Sequence, residues 1–541
     1  MRFHRLVIFG FYLAALAACG GGGSAGSAPN VATVPTQTQA DECQSSQVIA
    51  AARNDALRID SVRYLQVVEQ DSASSSAVLV SRKALRLRVD LLANSGVLAP
   101  VRASAIVFNP SSGNCETYAL SGPSTVPTQV DNTRLDNAFI VDLPANSVQP
   151  GFSITIVFDD SQGRSSTEAA RVKRVLTPAL VSGVNETVRV IPLRYDGQNG
   201  FATASSVKSI LERTAGISTL AVRLENVITP SAFNSSNDFL IGGSPGQFNS
   251  TTLERVLEEL DTECDRLNGA QTSTRSSPKC LGVFPDNVRF FTGLLTPSGE
   301  IVGVAYVGGK TMMTQSLAAT DATTITSPYA GAHWLDFRAV TVAHEYGHLL
   351  NLLHAGCGVQ GTPSSSNYND GRIGTSGAGY DTGRGFYFSA TQRDSSGGLQ
   401  FGDLMSYCEK EWPSDRGYIA SARYRAGGTS SRESTTREVP SKRWLKITHF
   451  DGVLTLRGVY TAPATLAPTA MRLQMSAADG QHERILQRAL IADMPLASAN
   501  GPYYVELPTS AVESLSSTSW QLLGSSGQLI SSGIGELLSH P

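Results

Sequence analysis

Alternation of apolar and polar residues runs through the first part of the chain. In "ALRLRVDLL", residues 84–92, the apolar side chains from Leu85 to Leu91 share one face of an extended strand, and charged side chains share the other. "FSITIVFDD", which starts at Phe152, repeats this alternation. Turn-forming residues separate such runs. The periodicity therefore predicts a β-sandwich of immunoglobulin-like type over residues 43–180.

Strands alternate with helices over residues 184–420. Apolar runs such as "TVRVIPLRY" and "EIVGVAYVGG" are typical of strands, whereas "ASSVKSILERTA" and "STTLERVLEELDTECDRL" have the apolar spacing of helices. The second helix opens on Ser250 and Thr251, which are suited to capping a helix N-terminus. This region is predicted to be a mixed α/β domain.

The C-terminal part of the chain returns to strand-like patterns. A Ser/Arg/Gly-rich linker is predicted at 421–441, and "GVLTLRGVY" and "YYVELP" indicate a β-rich domain over 442–541. The chain is thus predicted to be multidomain, with an α/β domain flanked by β-sandwich domains. At 541 residues it is long enough for three or four domains. Its net charge of -3 argues against a nucleic acid partner, and nothing in it indicates an oligomeric state.

The N-terminal residues 1–19 have the pattern of a signal peptide. The apolar run Leu6–Ala18 is too short to span a bilayer comfortably. "LAAC" resembles the lipobox of bacterial lipoproteins, which implies lipidation of Cys19; an ordinary cleavage site is the alternative. Gly20 differs from an inner-membrane retention signal, and residues 20–42 form a predicted flexible tether. We therefore expect an exported lipoprotein of the outer membrane, held there by its lipid.

Six of the seven cysteines remain once Cys19 is set aside. An even number in an exported chain indicates disulfides, although six cysteines allow about fifteen connectivities. Sequence order favours three local pairs: Cys43 with Cys115, Cys264 with Cys280, and Cys357 with Cys408.

The stretch "TVAHEYGHLLNLLHAGC" carries the candidate chemistry. Residues four apart lie on one face of a helix, so His344 and His348 can bind one metal ion with Glu345 beside it. His354 lies ten positions beyond His344 and would be about 15 Å further along a continuous helix. It joins them only if the helix stops and turns back, and Asn351 is a residue that tolerates the left-handed conformation such a stop requires. Two surface histidines without a metal are the simpler alternative.

"HEYGHLLNLLH" resembles the extended zinc signature of metzincin peptidases, His-Glu-x-x-His-x-x-Gly-x-x-His, with Asn351 at the glycine position. The resemblance implies a metzincin-like zincin fold for 184–420, with Zn2+ held by His344, His348 and His354. It also implies that Glu345 is the general base.

Three further stretches extend the resemblance. "GDLMSYC" implies a methionine turn at Met405, with Tyr407 as an extra zinc ligand or oxyanion donor; a structural tyrosine is the alternative. "VGVAYVGG" implies an edge strand to which an extended substrate adds, with ordinary sheet core as the alternative. "HAGCG" and "DLMSYCEKEWPSDRGY" are similar to the secreted bacterial mucinase-like branch, in which the cysteines at positions matching Cys357 and Cys408 lie close together.

Two functions are consistent with these features. The first is a lipid-tethered zinc endopeptidase that hydrolyses extracytoplasmic protein or glycoprotein substrates. The second is a surface adhesion or binding lipoprotein with a vestigial zinc site. Glu345 favours the first, because a degenerate site tends to lose its base before its ligands.

Overall fold

The structure is a computed structural model. It describes residues 57–94, 102–159, 171–181, 184–234, 246–269, 277–291, 300–317, 337–356, 371–373, 378–383, 385–389, 391–393, 401–407, 411–426, 443–450, 453–460, 466–477, 480–491, 501–507, 519–524 and 526–534. The predicted signal peptide, lipidation site and tether lie outside these ranges. The linker predicted at 421–441 starts too early, because residues 421–425 continue a helix that begins at Asp415 and buries Ala422 and Tyr424; the rest of it, from residue 427, lies outside the described ranges. Within them, every helix is too short or too polar to cross a bilayer.

Two four-stranded antiparallel sheets form the N-terminal β-sandwich. Their orders are β2-β1-β4-β7 and β6-β5-β8-β9, and a short parallel pair joins β3 to β10. Apolar residues of both sheets, among them Leu87 and Ile156, share one core. The predicted two-sheet architecture is present, whereas its immunoglobulin-like type remains a prediction. The strands are β1 Leu57–Leu65, β2 Glu69–Asp71, β3 Leu79–Val80, β4 Leu85–Ala93, β5 Arg102–Asn109, β6 Asn114–Ala119, β7 Phe139–Leu143, β8 Ser153–Asp159, β9 Arg171–Leu176 and β10 Leu180–Val181.

Helices and strands alternate through the middle of the chain, as predicted. In chain order they are β11 Asn185–Pro192, β12 Arg194–Tyr195, β13 Gln198–Asn199, α1 Ala204–Thr214, β14 Thr219–Leu224, β15 Gln247–Asn249, α2 Ser250–Asn268, β16 Lys279–Phe284, β17 Arg289–Phe291, β18 Glu300–Ile301, β19 Gly303–Ala305, β20 Thr311–Gln315, α3 Phe337–Leu349, β21 Ala378–Asp381, β22 Phe386–Ser389, β23 Gly402–Asp403, β24 Glu411–Trp412 and α4 Asp415–Arg425.

A five-stranded sheet of order β14-β11-β16-β20-β19 is the centre of this region. Its first four strands are parallel, and β19 pairs antiparallel with β20 at the edge. A disulfide joins Cys264 in α2 to Cys280 in β16, the pair that sequence order favoured. The cap of α2 differs from the prediction, because the side chain of Asn249, not Ser250 or Thr251, accepts a hydrogen bond of 3.0 Å from the Thr252 N–H.

The N-terminal sandwich packs directly on the α/β region. Val67 and Val80 belong to the same core as Val188 and Tyr346. The indole N–H of Trp412 donates to the Val67 carbonyl oxygen at 2.9 Å. The two regions therefore share apolar packing.

The C-terminal strands form one seven-stranded antiparallel sheet of order β26-β25-β29-β28-β27-β30-β31. This sheet agrees with the β-rich domain predicted over 442–541. A facing second sheet is absent from the described part of this domain, so the expected immunoglobulin-like sandwich is not confirmed. The strands are β25 Arg443–Phe450, β26 Val453–Tyr460, β27 Leu466–Ala477, β28 Gly480–Ala489, β29 Gly501–Leu507, β30 Ser519–Leu523 and β31 Leu529–Ile534.

Candidate metal centre

Helix α3 carries two of the three histidines and the glutamate of the motif. The side chains of His344, Glu345 and His348 are all buried. The Nε2 atoms of His344 and His348 lie 3.1 Å apart, as expected for residues one helical turn apart on one face. The helix therefore points two imidazole nitrogens at one position.

The end of α3 has the geometry that the third histidine requires. Asn351 has φ 66°, in the left-handed region, as predicted from the sequence. Its N–H donates to the His348 carbonyl oxygen at 2.9 Å, and the Leu352 N–H donates to the Gly347 carbonyl oxygen at 3.1 Å. These two bonds are those of a Schellman motif, which stops the helix and reverses the chain.

The reversal brings His354 to the other two histidines. One ring nitrogen from each of His344, His348 and His354 lies within 4.8 Å of the others. The ring centroid of His354 is 4.8 Å from that of His348 and 5.4 Å from that of His344. The three residues form the one group of at least three potential ligands found in the described part of the chain.

Hydrogen bonds to the other ring nitrogens show that the cluster fits a metal ion. His344 Nδ1 bonds the Leu404 carbonyl oxygen at 2.7 Å, and His348 Nδ1 bonds the Leu352 carbonyl oxygen at 2.8 Å. Because a carbonyl only accepts, each Nδ1 carries the proton and each Nε2 presents a lone pair. Two lone pairs that face each other at 3.1 Å repel unless a cation lies between them. Three neutral imidazoles with an open fourth position are the donor set of catalytic zinc.

Met405 packs against the helix behind the histidines. The side chain is buried, and a Cβ on Gly347 would lie 2.5 Å from the Met405 Sδ, so glycine is what allows this close approach. The Met405 N–H donates to the Asp403 carboxylate at 2.8 Å, and the Met405 carbonyl oxygen accepts from the Ala355 N–H at 2.7 Å. This turn is therefore bonded to the residue that follows His354.

Edge strand β19 lies over Glu345. A Cβ on Gly303 would be 2.6 Å from the Glu345 Oε1 and equally close to a side-chain carbon of Thr341. The absence of a side chain at Gly303 lets the strand backbone approach the carboxylate. Glu345, which follows His344 in α3, therefore directs its carboxylate at the backbone of the edge strand.

Tyr407 lies on the open side of the cluster. Its hydroxyl is 3.3 Å from the His354 Nε2, and its ring stacks on that of His344 at 5.6 Å with planes 13° apart. The side chain is 49% exposed, unlike those of the two helix histidines. This position suits a group that contacts a ligand of the site, although the structural alternative also satisfies these contacts.

A buried network holds the opposite face of α3, and nothing in the sequence identified it. The Tyr346 hydroxyl donates to the Glu186 carboxylate at 2.7 Å and accepts from the Arg425 guanidinium at 2.7 Å. Arg425 also forms an ion pair with Glu186. Burial raises the pKa of Tyr346, so the hydroxyl stays protonated and able to donate. The network fixes the rotation of α3 against β11 and α4.

The other predicted cysteine pairs extend beyond the described residues. Cys115 is disulfide-bonded, but Cys43, its predicted partner, lies outside the described ranges. Cys357 and Cys408 lie outside them as well, as does Cys19. The pairing of Cys357 with Cys408 stays a prediction.

Comparison with protein families supports this interpretation of the site. Residues 217–406 match the model described as Metallo-peptidase family M12B Reprolysin-like. The matched segment contains edge strand β19, helix α3 and Met405. The segment is metzincin-like and supports a zinc metallopeptidase, whereas the mucinase-like branch is not confirmed. A search of curated proteins finds no match.

Proposed function

We propose that the protein is a zinc endopeptidase that hydrolyses peptide bonds of extracytoplasmic proteins. The observation that carries the proposal is the convergence of His344, His348 and His354 within 4.8 Å of one another, beside the buried carboxylate of Glu345. When bound, zinc supplies Lewis-acid polarisation of the scissile carbonyl and acidifies water at its open position.

Glu345 has the position of a general base. Its carboxylate takes the proton from the attacking water and then passes it to the nitrogen of the departing amine. The two helix histidines are oriented by carbonyl oxygens, which keep their Nε2 atoms unprotonated for the metal. Tyr407, whose hydroxyl lies 3.3 Å from the His354 Nε2, would donate a hydrogen bond to the developing oxyanion.

The edge strand supplies the proposed substrate contact. Antiparallel β19 is at the end of the sheet order, and its Gly303 lies against Glu345. An extended peptide would add to this strand through main-chain hydrogen bonds and so bring one peptide bond to the base.

The proposed location is outside the cytoplasm. Support comes from the lipobox-like "LAAC" that ends at Cys19, and from the disulfide between Cys264 and Cys280. A lipid on Cys19 would tether the enzyme to the outer membrane, where surface proteins, including glycoproteins, are its proposed substrates.

Substitution of Glu345 by glutamine tests the proposal. The amide has nearly the shape of the carboxylate but accepts no proton, so Glu345→Gln should bind one zinc ion per chain yet lose cleavage of a denatured protein by at least about 100-fold. Glu212→Gln is the matched control, because Glu212 is a half-exposed glutamate of α1 and should leave cleavage unchanged. Undiminished cleavage by Glu345→Gln contradicts the mechanism, and loss of zinc alongside cleavage reduces Glu345 to a structural role.

A further inference from the structure

The free side of edge strand β19 is defined by its hydrogen bonds to β20. The Val302 carbonyl oxygen accepts from the Gln315 N–H, and the Tyr306 N–H donates to the Thr311 carbonyl oxygen, both at 3.2 Å. Successive residues of a strand direct their main-chain groups to opposite sides. The alternate residues of this segment, Gly303, Ala305 and Val307, therefore direct their main-chain groups away from β20, to the side where a substrate would add.

The C-terminal domain occupies one end of this free side. The Val307 N–H donates to the Leu490 carbonyl oxygen at 2.9 Å. Tyr306 and Ile491 form an antiparallel bridge, so the segment after β28 pairs with the chain just beyond β19. The free side of β19, along which a substrate would bind in a cleft, is therefore already hydrogen-bonded to the C-terminal domain at Val307.

Buried contacts hold the C-terminal domain in this position. Ile491 is only 7% exposed and shares a core with Leu257 of α2. Lys446 of β25 forms ion pairs of 2.6 Å with Asp261 and 3.0 Å with Glu258. These groups are buried, and breaking a buried pair leaves an uncompensated charge. The segment at Leu490 and Ile491 is therefore part of a firmly docked domain.

The direction in which a substrate pairs with β19 decides whether its N-terminal or its C-terminal side points towards the C-terminal domain. Antiparallel pairing is the slightly more stable arrangement and is the one that Ile491 already makes here. An antiparallel substrate has its N-terminal side towards Val307 and its scissile bond near Gly303, where Glu345 lies. At about 3.3 Å per residue, the four steps from Gly303 to Val307 span about 13 Å.

We propose that the C-terminal domain closes the cleft at the end that receives the N-terminal side of the substrate. This inference rests on the proposed peptidase function. The preferred substrates are polypeptides cut within about four residues of a free N-terminus, because a longer N-terminal side meets a main-chain donor that Leu490 already occupies. On the other side of Gly303, Ile301 of β18 pairs with Phe290 of β17.

A series of peptides with one common scissile bond tests this length limit. The series extends the N-terminal side from two to eight residues at fixed C-terminal length. For the zinc-loaded full chain, kcat/KM should fall at least about tenfold beyond four N-terminal residues. Equal or rising kcat/KM along the series overturns the inference alone. Absence of zinc-dependent cleavage of every peptide overturns the proposed function and the inference with it.

Variants of Ile491 test the assignment of the limit to the C-terminal domain. Ile491→Glu and the milder Ile491→Ala should raise cleavage of the peptide with eight residues before the scissile bond, relative to the peptide with two, in the same preparation. Ile485→Glu is the matched control, because Ile485 is on the same domain and 57% exposed, and it should leave this ratio unchanged. An unchanged ratio in both Ile491 variants, with cleavage of the short peptide intact, overturns the assignment.

Discussion

Asn351 decides whether the third histidine reaches the other two. It is one of three non-glycine residues with positive φ in the described part of the chain. Asparagine tolerates this conformation better than other residues with a Cβ, and its N–H closes the turn on the His348 carbonyl oxygen. The departure from the glycine of the metzincin signature therefore preserves the geometry that the signature requires.

Substitutions at Asn351 should separate backbone conformation from side-chain chemistry. Asn351→Gly should retain zinc affinity, whereas Asn351→Val should cost roughly 1–2 kcal/mol of stability because a β-branched residue resists positive φ. Zinc affinity of the valine variant, measured by competition with a chelator, should fall because the turn positions His354. Equal zinc affinity in all three proteins would contradict this role of the turn.

Helix α3 and the turn at Met405 act as a packed pair of elements. Gly347 lies in the interior of α3, where alanine would ordinarily be preferred by about 1 kcal/mol. The approach of the Met405 Sδ to the place of a Cβ reverses that preference. The pair also explains why the turn bonds both His344, through the Leu404 carbonyl oxygen, and the residue after His354.

A double-mutant cycle tests this packing. Gly347→Ala alone should destabilise the protein by about 1–3 kcal/mol, because the new methyl group overlaps the Met405 sulfur. In a Met405→Ala background, already weakened by about 2–5 kcal/mol, the same substitution should be neutral or stabilising. Denaturant unfolding of the four proteins measures the coupling. The same effect of Gly347→Ala in both backgrounds would disprove the contact.

The sequence predicts most of these elements because their signals are local. The spacing of His344, His348 and His354 and the propensity of Asn351 for positive φ are properties of one short segment. The cap of α2 at Asn249 has an equally local signal, since asparagine is among the preferred cap residues, and the prediction placed it one or two positions too late, at Ser250 and Thr251. By contrast, Tyr346 meets a carboxylate 160 positions earlier in the chain, a contact that no local periodicity encodes.

The whole molecule is held together by cores that cross the predicted domain boundaries. The N-terminal sandwich contributes Val67 and Val80 to the core beneath α3, and the C-terminal sheet contributes Trp444 to the core around α2. Pattern analysis finds each β-rich domain but not its docking, because docking depends on which faces meet. The α/β region is therefore expected to need both neighbours for its stability.

Lys83 is the clearest titratable group at the N-terminal boundary. Its ammonium donates to the Glu212 carbonyl oxygen at 2.6 Å, and burial lowers the pKa of Lys83 to about 8. The pKa of a lysine in the unfolded chain is about 10.4, so between pH 8 and 10.4 the unfolded chain binds more protons than the folded one. The contribution of Lys83 to the free energy of unfolding therefore rises with pH from about 8 to 10.4.

Lys83→Met should remove this pH dependence. At pH 7.5 the variant avoids the cost of burying the charged ammonium, whereas at pH 10 the wild type no longer bears most of this cost. The stability of the variant relative to the wild type should therefore be roughly 2–3 kcal/mol lower at pH 10 than at pH 7.5. Denaturant unfolding at the two pH values measures this difference. Lys208→Met is the control, since Lys208 is on the neighbouring helix α1 and half exposed, and its difference should stay constant with pH. Parallel behaviour of the two variants would contradict the docking of a buried ammonium at this boundary.

Zinc titration of cleavage tests the central claim most directly. Chelator-treated full-length protein should have no activity on a denatured protein, and activity should return in proportion to added zinc, with saturation at one ion per chain, as expected for the cluster of His344, His348 and His354. The same titration of His354→Ala should restore little activity. Full cleavage by the metal-free protein, or one tightly bound zinc ion without any cleavage, would contradict the account.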